Sequence, residues 1–132
     1  MSDEVRVVRR YYEVVGDRSS TADDLRGVLH PDVQIHEYPN AISPSGSVRN
    51  REEAVAAFVA GKELLSAHEF DVHEAFSAGD RVAVRATWRG TLAHSAGSLP
   101  AGRELVAHVA ALLTVKDGLI RRHETFDCYD PF

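Results

Sequence analysis

Near residue 67 the spacing of apolar residues changes from a helical period to a strand period, and this change limits the fold more than any other feature of the chain. Before it, Val5, Val8, Tyr12 and Val15, flanked by Val7, Tyr11 and Val14, form a broad stripe at helical spacing from about Asp3 to Val15, and Gly16 stops the helix. Thr21 followed by Asp24 reads as a capping box for a short second helix with Leu25, Val28 and Leu29 inward, closed before His30 and Pro31. Asn50 with Glu53 repeats the device and opens a third helix, about Arg51 to Leu65, which buries Val55, Phe58, Val59 and Leu65. From Ala67 onward "EFDVHEAF" alternates, with Phe70, Val72, Glu74 and Phe76 on one face. "AGD" at 78–80 and "KDG" at 116–118 are hairpin turn chemistry, and they join strands at about 68–77, 81–93, 104–115 and 119–128. With one earlier strand in "VQIHEYPN", the pattern predicts an α+β fold of three helices and a mostly antiparallel sheet.

A chain of 132 residues fits one domain, 1–132, and is long enough to bury about two-thirds of its unfolded surface, so a pocket inside the core is affordable. No apolar run approaches the roughly 20 residues of a membrane span, and no interaction with membrane is expected. Charges run through "MSDEVRVVRRYYEVV" where a signal peptide needs an apolar core, which predicts a cytoplasmic protein. The net charge of −5 is the opposite of a phosphate-binding footprint, so nucleic acid is not an expected partner. Cys128 is the single cysteine, which excludes an internal disulfide and a zinc site of paired cysteines. A site made of His36, His108 and His123 would need three strands to converge, and neither a metal nor an organic cofactor is expected. The motifs of serine hydrolases, P-loop proteins, dinucleotide binders and zincins are missing.

Strand alternation sorts the polar residues into faces. Val33, Ile35 and Glu37 share one face of the first strand, away from Gln34, His36 and Tyr38. In the last strand Ile120, Arg122, Glu124, Phe126 and Cys128 lie together, opposite Arg121, His123, Thr125 and Asp127. Glu37 and Glu124 are thus acids among apolar neighbours, where poor solvation favours the neutral carboxyl and poises it for proton transfer. Glu74, beside Phe70, Val72 and Phe76, is a weaker candidate that a bulge would turn outward. The strand "LVAHVAALLTV" is apolar on both faces, which predicts helices on one side and a second sheet or subunit on the other; a homodimer is the simplest cover. His108 stands in it with Val106, Ala110 and Leu112, neighbours that offer no polar partner, and this favours a place in the pocket.

The order of elements, with "HPDVQIHEYPN", "VAVRATWRGT", "LPAGREL" and "KDGLIRRHETFDCYDPF", resembles the NTF2-like superfamily over nearly the whole chain. The nearest likeness is to its SnoaL-like group, which includes polyketide cyclases, ketosteroid isomerases and limonene-epoxide hydrolases. The resemblance implies a cone: a strongly curved sheet that wraps helices around a deep apolar pocket. It places Tyr11 where the isomerases keep an oxyanion-donating tyrosine and Glu37 where they keep the base. It places Glu124 where cyclases and epoxide hydrolases keep an aspartate in the last strand. At the isomerases' second oxyanion donor this chain has Ala110, and His108 is the only polar candidate to substitute. The epoxide hydrolases' arginine and acid, two residues apart on the second long strand, have no counterpart acid in "VAVRATWRGT".

The expected function is therefore a small-molecule enzyme of isomerase or cyclase type, acting on an apolar, carbonyl-bearing or cyclising substrate. Glu37 serves as base, Glu124 as acid or its partner, and Tyr11 and His108 as oxyanion donors. Trp88, Phe58, Phe126, Tyr12 and Ile35 are expected to wall the pocket around the ligand. Two alternatives stay open: a non-catalytic ligand-binding or dimerisation module of the same fold, and an epoxide hydrolase-like enzyme.

Overall fold

The computed structural model describes residues 1–132. Helix α1 (Asp3–Gly16) is capped by the Ser2 side chain, which accepts from the backbone N–H of Val5. Both capping boxes form: Thr21 with Asp24 opens α2 (Ala22–Arg26), and Asn50 with Glu53 opens α3 (Arg51–Leu64). The strands are β1 (Leu29–Glu37), β2 (Ser47–Arg49), β3 (Leu65–Ala78), β4 (Arg81–Leu92), β5 (Glu104–Lys116) and β6 (Leu119–Tyr129). They form one sheet in the order β2-β1-β6-β5-β4-β3. Every neighbouring pair is antiparallel except β1 with β6. Long antiparallel neighbours follow from the two-residue turns at Gly79 and Asp80 and at Asp117 and Gly118. At the second turn both residues take positive φ, 55° and 72°, the twist a tight hairpin needs.

The three helices cover one face of this α+β sheet. Val8 of α1, Val82 of β4, Leu113 of β5 and Ile120 of β6 are completely buried and belong to one core cluster. α3 is less buried than its apolar stripe predicts. Only Ala54 and Val55 are fully covered, while Val59 is 47% exposed. Its far end stands instead over cavities lined by Phe58, Gly61 and Leu65. β2 lies inside "PNAISPSGSVRN", a stretch whose composition reads as irregular; three residues are too few for alternation to register.

Register shifts in β6 and β3 reverse faces that strict alternation predicts. In β6, Val115 pairs with Ile120 but Thr114 pairs with Arg122, so Arg121 is a bulge. Ile120 and His123 consequently face the helices together, and His123, Thr125, Asp127 and Tyr129 follow on that side. In β3 the register shifts between Val72 and Glu74. Phe70, Val72 and Ala75 pack inward, and Phe76 is left 62% exposed on the outer face. β5 has no bulge, but its inward set is Leu105, Ala107, Val109, Ala111, Leu113 and Val115, so Val106, His108, Ala110 and Leu112 face outward.

One close approach sets a wall of the interior. The Trp88 indole lies back along its own strand over Gly90, where any Cβ would collide with Cη2 and Cζ2 of the ring. Replacing Gly90 by Ala should therefore displace the indole, costing about 1–3 kcal/mol. The check is a lower urea midpoint together with altered emission from Trp88, the chain's single tryptophan.

Candidate active site

Between α1 and the inner face of the sheet lies a cavity of about 250 Å³. Its polar lining comes from Tyr11 and Tyr12 of α1, Glu37 at the end of β1, and His123, Thr125, Asp127 and Tyr129 of β6. Its apolar lining comes from Val15, Phe70, Trp88, Ala107 and Val109. Tyr11 and Tyr12 are consecutive, yet both are about 4% exposed and both border the cavity. The helix points its widest side chains at the gap between itself and the sheet.

Tyr11 and His123 form one buried unit. The Tyr11 hydroxyl lies 2.9 Å from His123 Nδ1, with the two rings edge to face at 5.4 Å. Burial lowers the His123 pKa to about 4, so the imidazole is neutral at pH 7. If the Tyr11 O–H donates to Nδ1, the neutral ring carries its proton on Nε2. That Nε2 is buried and has no hydrogen-bond partner, and the same holds for the Tyr12 hydroxyl. Burial also holds both phenols well above their ordinary range, so each remains a neutral donor. Two unpaired buried polar groups beside a cavity are costly unless something polar meets them there.

The carboxylates stand at the other end of the β6 stripe. Asn40 Nδ2 donates to Glu37 Oε2 at 2.7 Å, and Arg49 Nη1 lies 3.7 Å from Oε1. Asn40 is itself fixed, because its Oδ1 accepts from the backbone N–H of Ile42 and of Ser43. The loop after β1 thus clamps the Glu37 side chain from outside the cavity. Asp127 accepts from the Thr125 hydroxyl at 2.6 Å. Burial raises the Asp127 pKa, the Thr125 bond opposes that shift, and the nearby charge of Glu37 adds to it.

Of the residues expected from sequence, Glu37, Tyr11, Tyr12 and Trp88 are brought together around this cavity. Phe58 lines an adjoining cavity, and Ile35 packs against the core. Glu124, His108 and Phe126 are corrections, since all three lie on the outer face of the sheet. Glu124 accepts from the Tyr38 hydroxyl at 3.0 Å and sits 3.3 Å from Arg122. His108 Nε2 is 2.7 Å from Asp130, with 61% of the side chain exposed. Phe126 stacks on Tyr38 at 4.4 Å, and Tyr38 stacks on His36 at 3.9 Å. The Arg121 bulge accounts for Glu124 and Phe126, and the two-sided apolarity of β5 accounts for His108. The bulge also brings in His123 and Asp127, which alternation counted from Ile120 places on the wrong face. Glu74 pairs with Arg85 at 2.9 Å outside the cavity. No group of three or more His, Cys, Asp or Glu side chains is gathered as metal ligands.

Because His123 is buried neutral, acid favours the unfolded chain, in which its imidazole protonates near the ordinary value of about 6.5. The contribution of His123 to stability is complete above that value. It should fall by up to about 3 kcal/mol as the pH drops toward 4. NMR titration of the imidazole nitrogens should find His123 the last histidine to protonate, with urea midpoints falling over the same interval.

Comparison with known proteins gives this geometry a context. The SnoaL-like domain model matches residues 8–123. IdmH of Streptomyces antibioticus, a proposed polyketide cyclase, is 26% identical and superposes with a TM-score of 0.77, over 94% of this chain and 91% of that one. A proposed SnoaL-like polyketide cyclase of Jannaschia is 20% identical, with a TM-score of 0.73 over 95% and 85% of the two chains. An epoxide hydrolase of M. tuberculosis, of the limonene-epoxide hydrolase-like type, shares the fold at 16% identity and a TM-score of 0.72 over 97% and 83%. No curated protein matches in sequence. No helix is long and apolar enough to cross a membrane. With the pocket under α1 and the family model matching most of its length, the chain belongs to the SnoaL-like family.

Proposed function

We propose that the protein is a cofactor-independent enzyme that moves a proton on an apolar, carbonyl-bearing substrate, as an isomerase or cyclase does. The observation that carries this reading is the pairing, in one apolar cavity, of carboxyl groups with buried neutral donors that have no partner of their own. A substrate carbonyl oxygen placed between the Tyr12 O–H and the His123 Nε2–H would satisfy both. Glu37 would then take a proton from the carbon next to that carbonyl. The electron pair of the broken C–H bond moves into an enolate, whose oxygen the two donors stabilise. Asp127, whose burial favours the protonated form, would deliver a proton to another atom of the conjugated system. Tyr11 acts as a positioning residue, because its bond to Nδ1 selects the His123 tautomer that donates from Nε2.

Exchange of solvent deuterium into the α position of an apolar cyclic ketone, followed by NMR, tests the chemistry. The wild-type protein should accelerate exchange, and Glu37→Gln should slow it by about 10²- to 10⁴-fold with an unchanged circular dichroism spectrum. Exchange that the variant leaves unaltered would remove Glu37 from this role. The arginine beside Glu37 favours a second reading, a ligand-binding module that performs no chemistry. Under that reading neither protein accelerates exchange, and ketone binding survives the substitution.

We further infer a homodimer built through the outer face of the sheet. Phe76, Ala83 and Leu112 lie side by side across β3, β4 and β5, and Ala110 adjoins Phe126 on β6. Phe76 is 62% exposed, and Leu112 and Phe126 are each 39% exposed. An apolar group of this kind on a sheet face is what a second copy would cover. Sedimentation should give the mass of two chains for the wild type and of one chain for the double variant Leu112→Glu, Phe126→Glu.

A further inference from the structure

A second cavity of about 220 Å³ lies between the end of α1, the far half of α3 and the start of β3. It shares Val15 and Phe70 with the central cavity, so the two are neighbours across those side chains. Phe58 and Leu65 complete an apolar lining, yet the remaining polar groups are all basic: Arg18, Lys62 and His68. No carboxylate lines the space, and neither Arg18 nor Lys62 takes part in an ion pair.

Both cations are nevertheless held in place. Arg18 Nη1 donates to the backbone oxygen of Leu65 at 2.9 Å, which leaves most of its fork of donors free. Lys62 Nζ donates to the Ser20 oxygen and stands 4.9 Å from the centre of the Phe58 ring. Asp17, an acid that feels the Lys62 charge, is occupied by the backbone N–H and hydroxyl of Ser19 at 2.8 and 2.7 Å. Asp17 offsets part of the Lys62 charge from outside the cavity, but no acid lines the space or pairs with either cation. The positive field is visible on half-buried His68, where burial first and Arg18 second disfavour the charged imidazole. Apolar walls with two fixed cations and no acid are a receptor for an amphiphile with one negative end.

We propose that this cavity binds the carboxylate of an apolar organic acid, with Arg18 and Lys62 gripping the anion and Phe58, Leu65 and Phe70 covering the hydrocarbon. The site stands independently of any chemistry in the central cavity. If both are used by one molecule, the anchored acid would extend past Val15 and Phe70 toward Trp88.

Calorimetry with 2-naphthoate and its neutral isostere 2-naphthamide tests the proposal on the unaltered protein. Naphthoate should bind at least tenfold more tightly, should weaken as salt is raised while naphthamide does not, and should perturb the amide signals of Gly61 and His68. In the double variant Arg18→Gln, Lys62→Gln the preference should vanish with naphthamide binding retained. Glutamine keeps a donor for each backbone oxygen, and the salt dependence of the unaltered protein decides the question should the variant fold poorly. Equal affinity for the two probes, a preference that survives the double substitution, or naphthoate perturbing Thr125 and His123 instead would overturn it.

Discussion

The polar chemistry of the interior depends on one residue that β6 has in excess. β5 and β6 pair without interruption from Ala107 with Tyr129 to Thr114 with Arg122, and then step over Arg121 to join Val115 with Ile120. A strand presents alternate side chains to alternate faces, so one added residue exchanges the faces of everything beyond it. Ile120 remains in the core, and the residues that join it inside are His123, Thr125 and Asp127 rather than Arg122, Glu124 and Phe126. Without the bulge, α1 would face an arginine and a phenylalanine. With it, Tyr11 finds His123.

A fold that covers only one face of its sheet creates two surfaces with opposite needs. On the inner face, three helices do not fill the space against six strands, and the shortfall appears as adjoining cavities under α1 and α3. Polar groups there are desolvated, which keeps the two tyrosines and His123 neutral and turns them into donors rather than charges. On the outer face, Arg85 and Glu74 are more than half exposed and pair where ion pairs contribute little to stability, while Arg122 lies beside the mostly covered Glu124. The exposed Leu112 and Phe126 lie among them.

Much of the secondary structure was legible because its signals are local. The capping boxes at Thr21 and Asn50 and the Gly-containing turns at residues 79 and 118 involve contacts within a few residues, and each lies where its local chemistry predicts. The place of Glu37 was legible for a related reason. From Gln34 to Glu37 the strand pairs with β6 without interruption, so Ile35 and Glu37 share a face, and Val33 is buried. The clamp on that carboxylate was only half legible. Asn40 three residues later is a turn signal, but nothing local says that its amide reaches back to Glu37 or that Arg49 returns on a neighbouring strand.

By itself, then, the sequence determined where the helices start, the hairpins, the α+β class, the family resemblance and one acid of the candidate site, because periodicity, capping and turn geometry are short-range; it ran α2 on through Leu29, which the structure gives to β1. The tertiary structure alone decided which face of β5 meets the helices, since both faces are apolar and either would satisfy the hydrophobic effect. It also decided the phase of β6, because a bulge is a mismatch between two strands and has no meaning for one. His108 and Glu124 went outside and His123 and Asp127 inside for those two reasons. Both concern how the strands and helices fit one another rather than what any one strand prefers.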